Sequence, residues 1–333
     1  MIIRNYMAVA CAVLALGCAS CANSKKANAT DQEQVAQVKV PSFNADSAYL
    51  YVKEQCDFGP RTPNSRAHDL CGDYLAAKLE DFGAKVYNQR ADMRAYDGKI
   101  LKGRNIIGAY KPEAKRRVLL CAHWDTRPWA DNDPNEKNHH TPILGANDGA
   151  SGVGVLLEIA RQLQQQPPTI GIDIVFFDME DSGTPQFAKT GDDPNSWCLG
   201  SQYWARTPHV EGYSARYGIL LDMVGGKNST FLKEGISKQN APDVVKKVWK
   251  AAEKAGAGHL FVDRDGGYVT DDHVPVNEIA RIPCIDIINC DETSELSSFG
   301  PTWHTVNDNM DNIDKNTLNA VGQTVLQVIY NEK

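Results

Sequence analysis

No basic tract and no basic amphipathic helix occur among the 333 residues, whose formal charge of -7 is spread along the chain. Nucleic acid is therefore not an expected partner, and small molecules or peptides are. Internal repeats and heptads are also missing, which leaves out solenoids and coiled coils. The longest apolar run near the start, Met7 to Gly17, is too short to cross a bilayer as a helix. Past the leader and the polar stretch behind it, six cysteines remain, at 56, 71, 121, 198, 284 and 290, with none of the close pairs of a structural zinc site. An even number in an exported protein permits disulfides without requiring them. Cys56 with Cys71 is the pairing to test first, and buried free thiols are the equal alternative.

What is present is ordinary for a globular chain: 42% hydrophobic and 23% charged residues. Removing a leader leaves about 300 residues, enough for one large α/β domain or two small ones. Arg4 followed by the Met7 to Gly17 run suits a signal peptide. Its end, Leu16-Gly17-Cys18, resembles the lipobox of bacterial lipoproteins, with Ala15 where Leu is usual. Residues 1–18 are thus expected to be a lipoprotein-type signal peptide with Cys18 as the lipidated residue. Residues 19–41 are poor in apolar side chains and read as a flexible tether, and 42–333 as a single folded domain. Export to the periplasm, with a lipid anchor as the only membrane contact, is the expected location.

From Ser42 onward, helical and strand patterns alternate. Asp46 to Gln55 and the helix capped by Ser65 come first, then strands at Asn105 to Tyr110 and Arg117 to Ala122. Val153 to Leu163 is a clear helix. Ile172 to Phe177 is a buried strand, followed by a short helix near Ser201 to Ala205 and a strand from Tyr217 to Leu221. Asn240 with Pro242 opens another helix, Ile282 to Ile288 is the next strand, and Asp314 caps the last helix. The expected fold class is α/β: an open, twisted, mostly parallel (mixed) sheet flanked by helices.

The apolar strands share one feature, which is that they end in ligands. His123, Glu180 with Asp181, and Asp222 each follow one; Asp148 begins a helix, and His304 lies in the loop after the last strand. Taken singly, each has a plainer explanation: Asp148 as an N-cap, His304 as an exposed loop histidine, Asp222 as an arginine's partner. Ligands of open α/β sheets gather outside the carboxyl ends of the strands, however, and five such coincidences favour one site. Imidazole nitrogens and carboxylate oxygens without a thiolate suit Zn²⁺ in a catalytic setting.

His123-Trp124-Asp125, Asn147-Asp148, Glu180-Asp181, Leu221-Asp222-Met223, Asp271-Asp272-His273 and Trp303-His304-Thr305 resemble the ordered motifs of the zinc-dependent M28 metallopeptidase-like family. Phe58-Gly59-Pro60-Arg61, Leu199-Gly200-Ser201 and the run from Val306 to Asn309 bring the likeness nearest to its glutaminyl-peptide cyclotransferases. The resemblance implies a zinc-exopeptidase-like sheet and one Zn²⁺ per chain. It also implies conversion of N-terminal glutamine of peptides or proteins to pyroglutamate with loss of ammonia, by a chain expected to be monomeric. Carried over by position, it implies Asp148, Asp181 and His304 as zinc ligands, Glu180 as proton shuttle, and Asp222 and Asp271 as assisting carboxylates. Trp303 and Trp197 would wall the substrate pocket, with His123 and Asp286 behind the ligands. Asp181 stands where the animal cyclases have Glu, and Asp286 where they have His, which puts their His–Asp relay in doubt. The nearest rival is a two-zinc aminopeptidase of the same family, with His123 and Asp222 joining Asp148 around a second metal.

Overall fold

The computed structural model describes residues 39–332, so the expected signal peptide, Cys18 and most of the expected tether lie outside the described residues. Pro41 is buried and its carbonyl accepts from Gln323 Nε2 at 3.2 Å, so the folded part begins slightly before Ser42. The described residues belong to one compact unit.

Among the described residues, eight strands and eight α-helices follow in order: α1 (Ala45–Cys56), α2 (Arg66–Asp81), β1 (Lys85–Arg94), β2 (Ile100–Tyr110), β3 (Arg117–His123), α3 (Ala150–Gln165), β4 (Gly171–Phe177), α4 (Leu199–Arg206), β5 (Gly218–Asp222), β6 (Phe231–Lys233), α5 (Gly235–Asn240), α6 (Pro242–Lys254), β7 (Phe261–Asp265), α7 (His273–Glu278), β8 (Cys284–Ile288) and α8 (Lys315–Tyr330). Six strands form the main sheet in the order β1-β2-β4-β3-β5-β8, and β6 pairs with β7 apart from it. Contacts from β4 through β3 and β5 to β8 are parallel, while β1 and β2 add antiparallel strands at one side. The sheet is therefore mixed with a parallel centre, as the sequence pattern implies. Strands β3, β4, β5 and β8 are buried along their whole length, which is why they read as continuous apolar runs.

Successive side chains of these strands point to opposite faces and build two cores. Ile172, Ile174, Phe176, Leu120 and Ile219 face a large cluster with α1, α3, α6 and α8, and Val175, Phe177, Leu119 and Leu220 face a smaller one with Trp204 of α4 and Val276 of α7. Asp173 interrupts the apolar run of β4, and its partners explain how. Arg117 donates to it from Nε at 2.6 Å and from Nη2 at 2.5 Å, and Tyr213 adds its hydroxyl at 2.9 Å. With Asp173 1% exposed, removing either member of such a buried pair costs about 3–5 kcal/mol.

Caps fall mostly where expected. Ser65 accepts from His68 N at 3.1 Å and Asp314 from Asn316 N at 2.9 Å. Two expectations need correction, and two alternatives left open are decided. The first strand was missed: β1 is an edge strand with mostly half-buried and exposed residues, many of them charged, so it has no apolar run to mark it. The helix after Pro242 takes Pro242 at its start but is not capped by Asn240, which ends the short preceding helix α5. Asp148 is not a cap either, because Gly149 takes the N-cap position of α3 with φ 104°, leaving the Asp148 carboxylate free for the site. Cys56 and Cys71 are buried free thiols rather than a disulfide.

Candidate active site and metal centre

Because β3, β4 and β5 run parallel, their carboxyl ends deliver His123, the Asp178–Asp181 turn and Asp222 to one edge of the sheet. Leaving that edge demands unusual backbone. Met179 after β4 and Met223 after β5 have φ of 56° and 48°, and Cys198 and His304 stand at 54°. These are four of the eight non-glycine residues with left-handed φ among the described residues. Such conformations cost about 1–3 kcal/mol each and persist where the surroundings over-determine them.

Asp148, Glu180, Asp181, Asp222, Asp271, Trp197, Trp303 and His304, all singled out in the sequence, line one cavity of about 280 Å³. His123 and Asp286, each 1% exposed, lie behind it. Asp148 joins two triads. His304 Nε2 stands 3.2 Å from Asp181 Oδ1 and 3.6 Å from Asp148 Oδ2, and His123 Nε2 stands 3.1 Å from both Asp148 Oδ1 and Asp222 Oδ1. Each triad has one ligand atom per residue within 4.8 Å of the others, the spacing of a metal centre.

The donor chemistry of the first triad fits zinc. Neither carboxylate oxygen of Asp181 receives a hydrogen bond, although the residue is 1% exposed. Burial first, and then the neighbouring charge of Asp181, push Asp148 up to about 6. Two buried carboxylates facing one another with few protein donors are the arrangement a divalent cation stabilises. Behind them, His304 Nδ1 lies 3.4 Å from Asp131 Oδ1, the carboxylate–histidine pairing that orients a metal ligand.

The loops are held by side chains that the motifs alone did not single out. Asp125 accepts from the amides of Glu180 at 3.0 Å and Asp181 at 3.2 Å, fixing the turn that carries both. Asp308 does the same for Asn147 at 2.7 Å and Asp148 at 3.0 Å. Buried Arg61 reaches the carbonyls of Leu144 and Gly145, just before Asp148. Arg127 is gripped at both ends by Asp131, donates to Asp181 O at 3.1 Å, and lies 4.6 Å beneath the ring of Trp197. Gly183 lets that ring lie across the loop, since a Cβ there would fall 2.0 Å from it. Asp125, Arg61 and Asp308 were already inside quoted motifs, and Arg127 and Asp131 lie in a polar loop with no periodicity to mark them.

Glu180 keeps part of its surface open to the cavity. Its carboxyl is pushed well above the usual range, mainly by desolvation and then by Asp271. Asp271 is pushed up in the same direction by burial and by Asp222. Asp286 follows: both its oxygens lack partners, and burial first, then Asp271, raise it. Asp286 therefore sets a second raised acid beside Asp271. Trp303 stacks on His304 at 3.7 Å, and Trp197 lies parallel to the same imidazole at 6.3 Å. Tyr268 and Phe299 extend the aromatic lining; neither was marked by the sequence pattern.

The sequence profile of peptidase family M28 matches residues 105–329. The chain belongs to that family of zinc-dependent enzymes. A glutaminyl cyclase from Bacteroides thetaiotaomicron, solved with N-acetylhistamine, is 68% identical, with a TM-score of 0.87 over 89% of this chain and 100% of its own. A leucine aminopeptidase precursor from the same organism gives the same figures, and the Tannerella forsythia glutaminyl cyclase is 58% identical with a TM-score of 0.86, over 88% of this chain and 100% of its own. Within the family, the chain stands among the bacterial glutaminyl cyclases. It spans 54% of the length of the Bacillus subtilis aminopeptidase YwaD and 65% of the bovine glutaminyl-peptide cyclotransferase, with 28% and 27% identity over 81% and 68% of this chain.

Proposed function

We propose that the chain is a glutaminyl-peptide cyclotransferase acting on peptides and proteins that begin with glutamine, with one zinc held by Asp148, Asp181 and His304. The observation that carries this reading is Glu180, a carboxyl raised well above its usual range and facing a small aromatic-walled cavity beside those ligands. At about 280 Å³ the cavity suits a single terminal residue rather than a bound segment. Zinc at the triad would supply Lewis acidity to the γ-carboxamide oxygen.

The remaining work falls to the chain's own groups. The substrate's α-amine is its own nucleophile, so the walls must hold a conformer in which that nitrogen approaches the γ-carbon. Trp197 and Trp303 suit this and also keep out water, which would otherwise hydrolyse the amide. As the new C–N bond forms, Glu180 takes a proton from the amine; as the old one breaks, it returns that proton to the departing ammonia. Asp271 and Asp222, close enough to raise Glu180 or one another, assist by keeping the pocket's charge matched to that transfer.

The alternative, a two-zinc aminopeptidase, draws on the His123, Asp148 and Asp222 triad, whose ligands are all present. Metal analysis together with product detection separates the two. About one zinc per chain and ammonia from a glutamine-initiated peptide are expected. Two tightly held zinc ions with hydrolysis of aminoacyl amides would reverse the assignment.

The same reading places the enzyme in the periplasm, tethered through lipidated Cys18 and acting on proteins whose new N-terminus is glutamine. The Gly17-Cys18 junction and the polar stretch behind it support this. One acyl chain binds membranes only marginally, and several on one cysteine would hold firmly. Cys18→Ser should move the protein from the membrane to the soluble fraction with its activity on soluble peptides kept. Identical partitioning of mutant and parent would reject the anchor.

A further inference from the structure

Cys198 belongs to no part of the reaction described above, yet it touches the site's central acid. Its Sγ donates to Glu180 Oε1 at 3.3 Å. The contact is held by backbone: Cys198 N donates to Glu180 O at 2.9 Å, Leu199 N to Met179 O at 3.0 Å and Gly200 N to Asp178 O at 2.9 Å. Those three bonds dock the start of α4 onto the turn after β4, with Cys198 and Met179 both in left-handed backbone. Within 4.8 Å of both stands Asp271, 3% exposed, whose Oδ2 has no hydrogen-bond partner.

From this cluster we infer a second cation site, made of Glu180, Cys198 and Asp271, that takes a soft divalent ion and shuts the enzyme off. One donor atom from each residue lies within 4.8 Å of the other two, so a central point is no farther than about 2.8 Å (4.8/√3) from any of them. Zinc bonds run ~2.3 Å to sulfur and ~2.0–2.2 Å to carboxylate oxygen, so zinc would need a small contraction and a larger soft ion less. The thiolate selects against calcium and magnesium, which prefer all-oxygen shells. On binding, the thiol loses its proton to solvent and the ion takes its place between sulfur and carboxylates. The site shares no residue with either histidine-containing triad. Its occupation is independent of the reaction proposed for this chain. The loss of turnover rests on that reading, because a Glu180 held as a ligand cannot carry a proton.

The test uses Cd²⁺ titrated into the zinc-loaded protein, following the ultraviolet thiolate-to-cadmium charge-transfer band and turnover together. Cadmium that merely replaces zinc at Asp148, Asp181 and His304 meets no sulfur there and gives no such band. The expected result is a band that rises as turnover falls. In Cys198→Ser the band is lost, and inhibition, scaled to that variant's own rate, needs at least ~10-fold more Cd²⁺, since even partners behind a ligand are worth about 10–100-fold in affinity. Asp271→Asn keeps the thiol and shifts the band to higher Cd²⁺. Cys290→Ser, which alters a half-buried thiol elsewhere, keeps both responses. A band that survives Cys198→Ser, or inhibition with no band in the parent, overturns the site. A band without inhibition upholds the site and overturns the proton role of Glu180.

Discussion

Glu180→Gln is expected to lower turnover by on the order of 10²-fold or more while leaving zinc in place, which measured rates and metal content together would check. The amide is nearly the same size and can still accept from Cys198, so the docking of α4 on the turn should hold. What it lacks is the ability to take a proton from the α-amine and hand it to ammonia. The carboxyl sits beside Asp271, and desolvation followed by that neighbour's charge raises its affinity for a proton. A group so placed holds a proton more readily than an exposed glutamate does, the kind of perturbation found at catalytic acids and bases. Turnover within a few-fold of the parent would remove Glu180 from the chemistry and shift attention to Asp271, a raised acid that lines the same cavity.

The site residues were legible because a parallel sheet turns sequence order into spatial order. An apolar run that stops at an acid or a histidine must deliver that residue to the same edge as its neighbours, and His123, Asp181 and Asp222 arrive there in that way. What holds them was harder to read. Asp125 and Asp308 act through hydrogen bonds to the amides of residues 55 to 161 positions away, and no local pattern records such a pairing. Cys198 looked like one more core thiol, and only the folded turn sets it against Glu180. The missing strand β1 has a related cause: at a sheet edge, one face meets water and long charged side chains are tolerated, so the apolar signal fades. At Asp148 a common local role, helix capping, competed with the long-range one expected for it. Gly149 resolves it by taking the N-cap position itself, which frees the carboxylate.

Asp181→Ala is expected to abolish stoichiometric zinc binding, and activity with it, whereas Asp222→Ala should keep about one zinc per chain. The contrast follows from how the two acids are held. Asp181 has no hydrogen-bond donor on either oxygen, and its nearest cationic atoms are His304 Nε2 at 3.2 Å and Arg127 Nη1 at 3.5 Å. Its loss leaves Asp148 and His304 as two ligands, and an open catalytic zinc site ordinarily has three from the protein. Asp222 instead accepts from His123 Nε2 at 3.1 Å, a pairing already satisfied without an ion. Removing it would empty a second site only if His123, Asp148 and Asp222 hold one. Elemental analysis of both variants after gel filtration therefore tests the ligand set and the metal count at once. Zinc retained in Asp181→Ala would reject the assigned triad. A fall from two ions to one in Asp222→Ala would instead establish the paired-metal centre of an aminopeptidase, and the reading of this chain as a cyclase would have to give way.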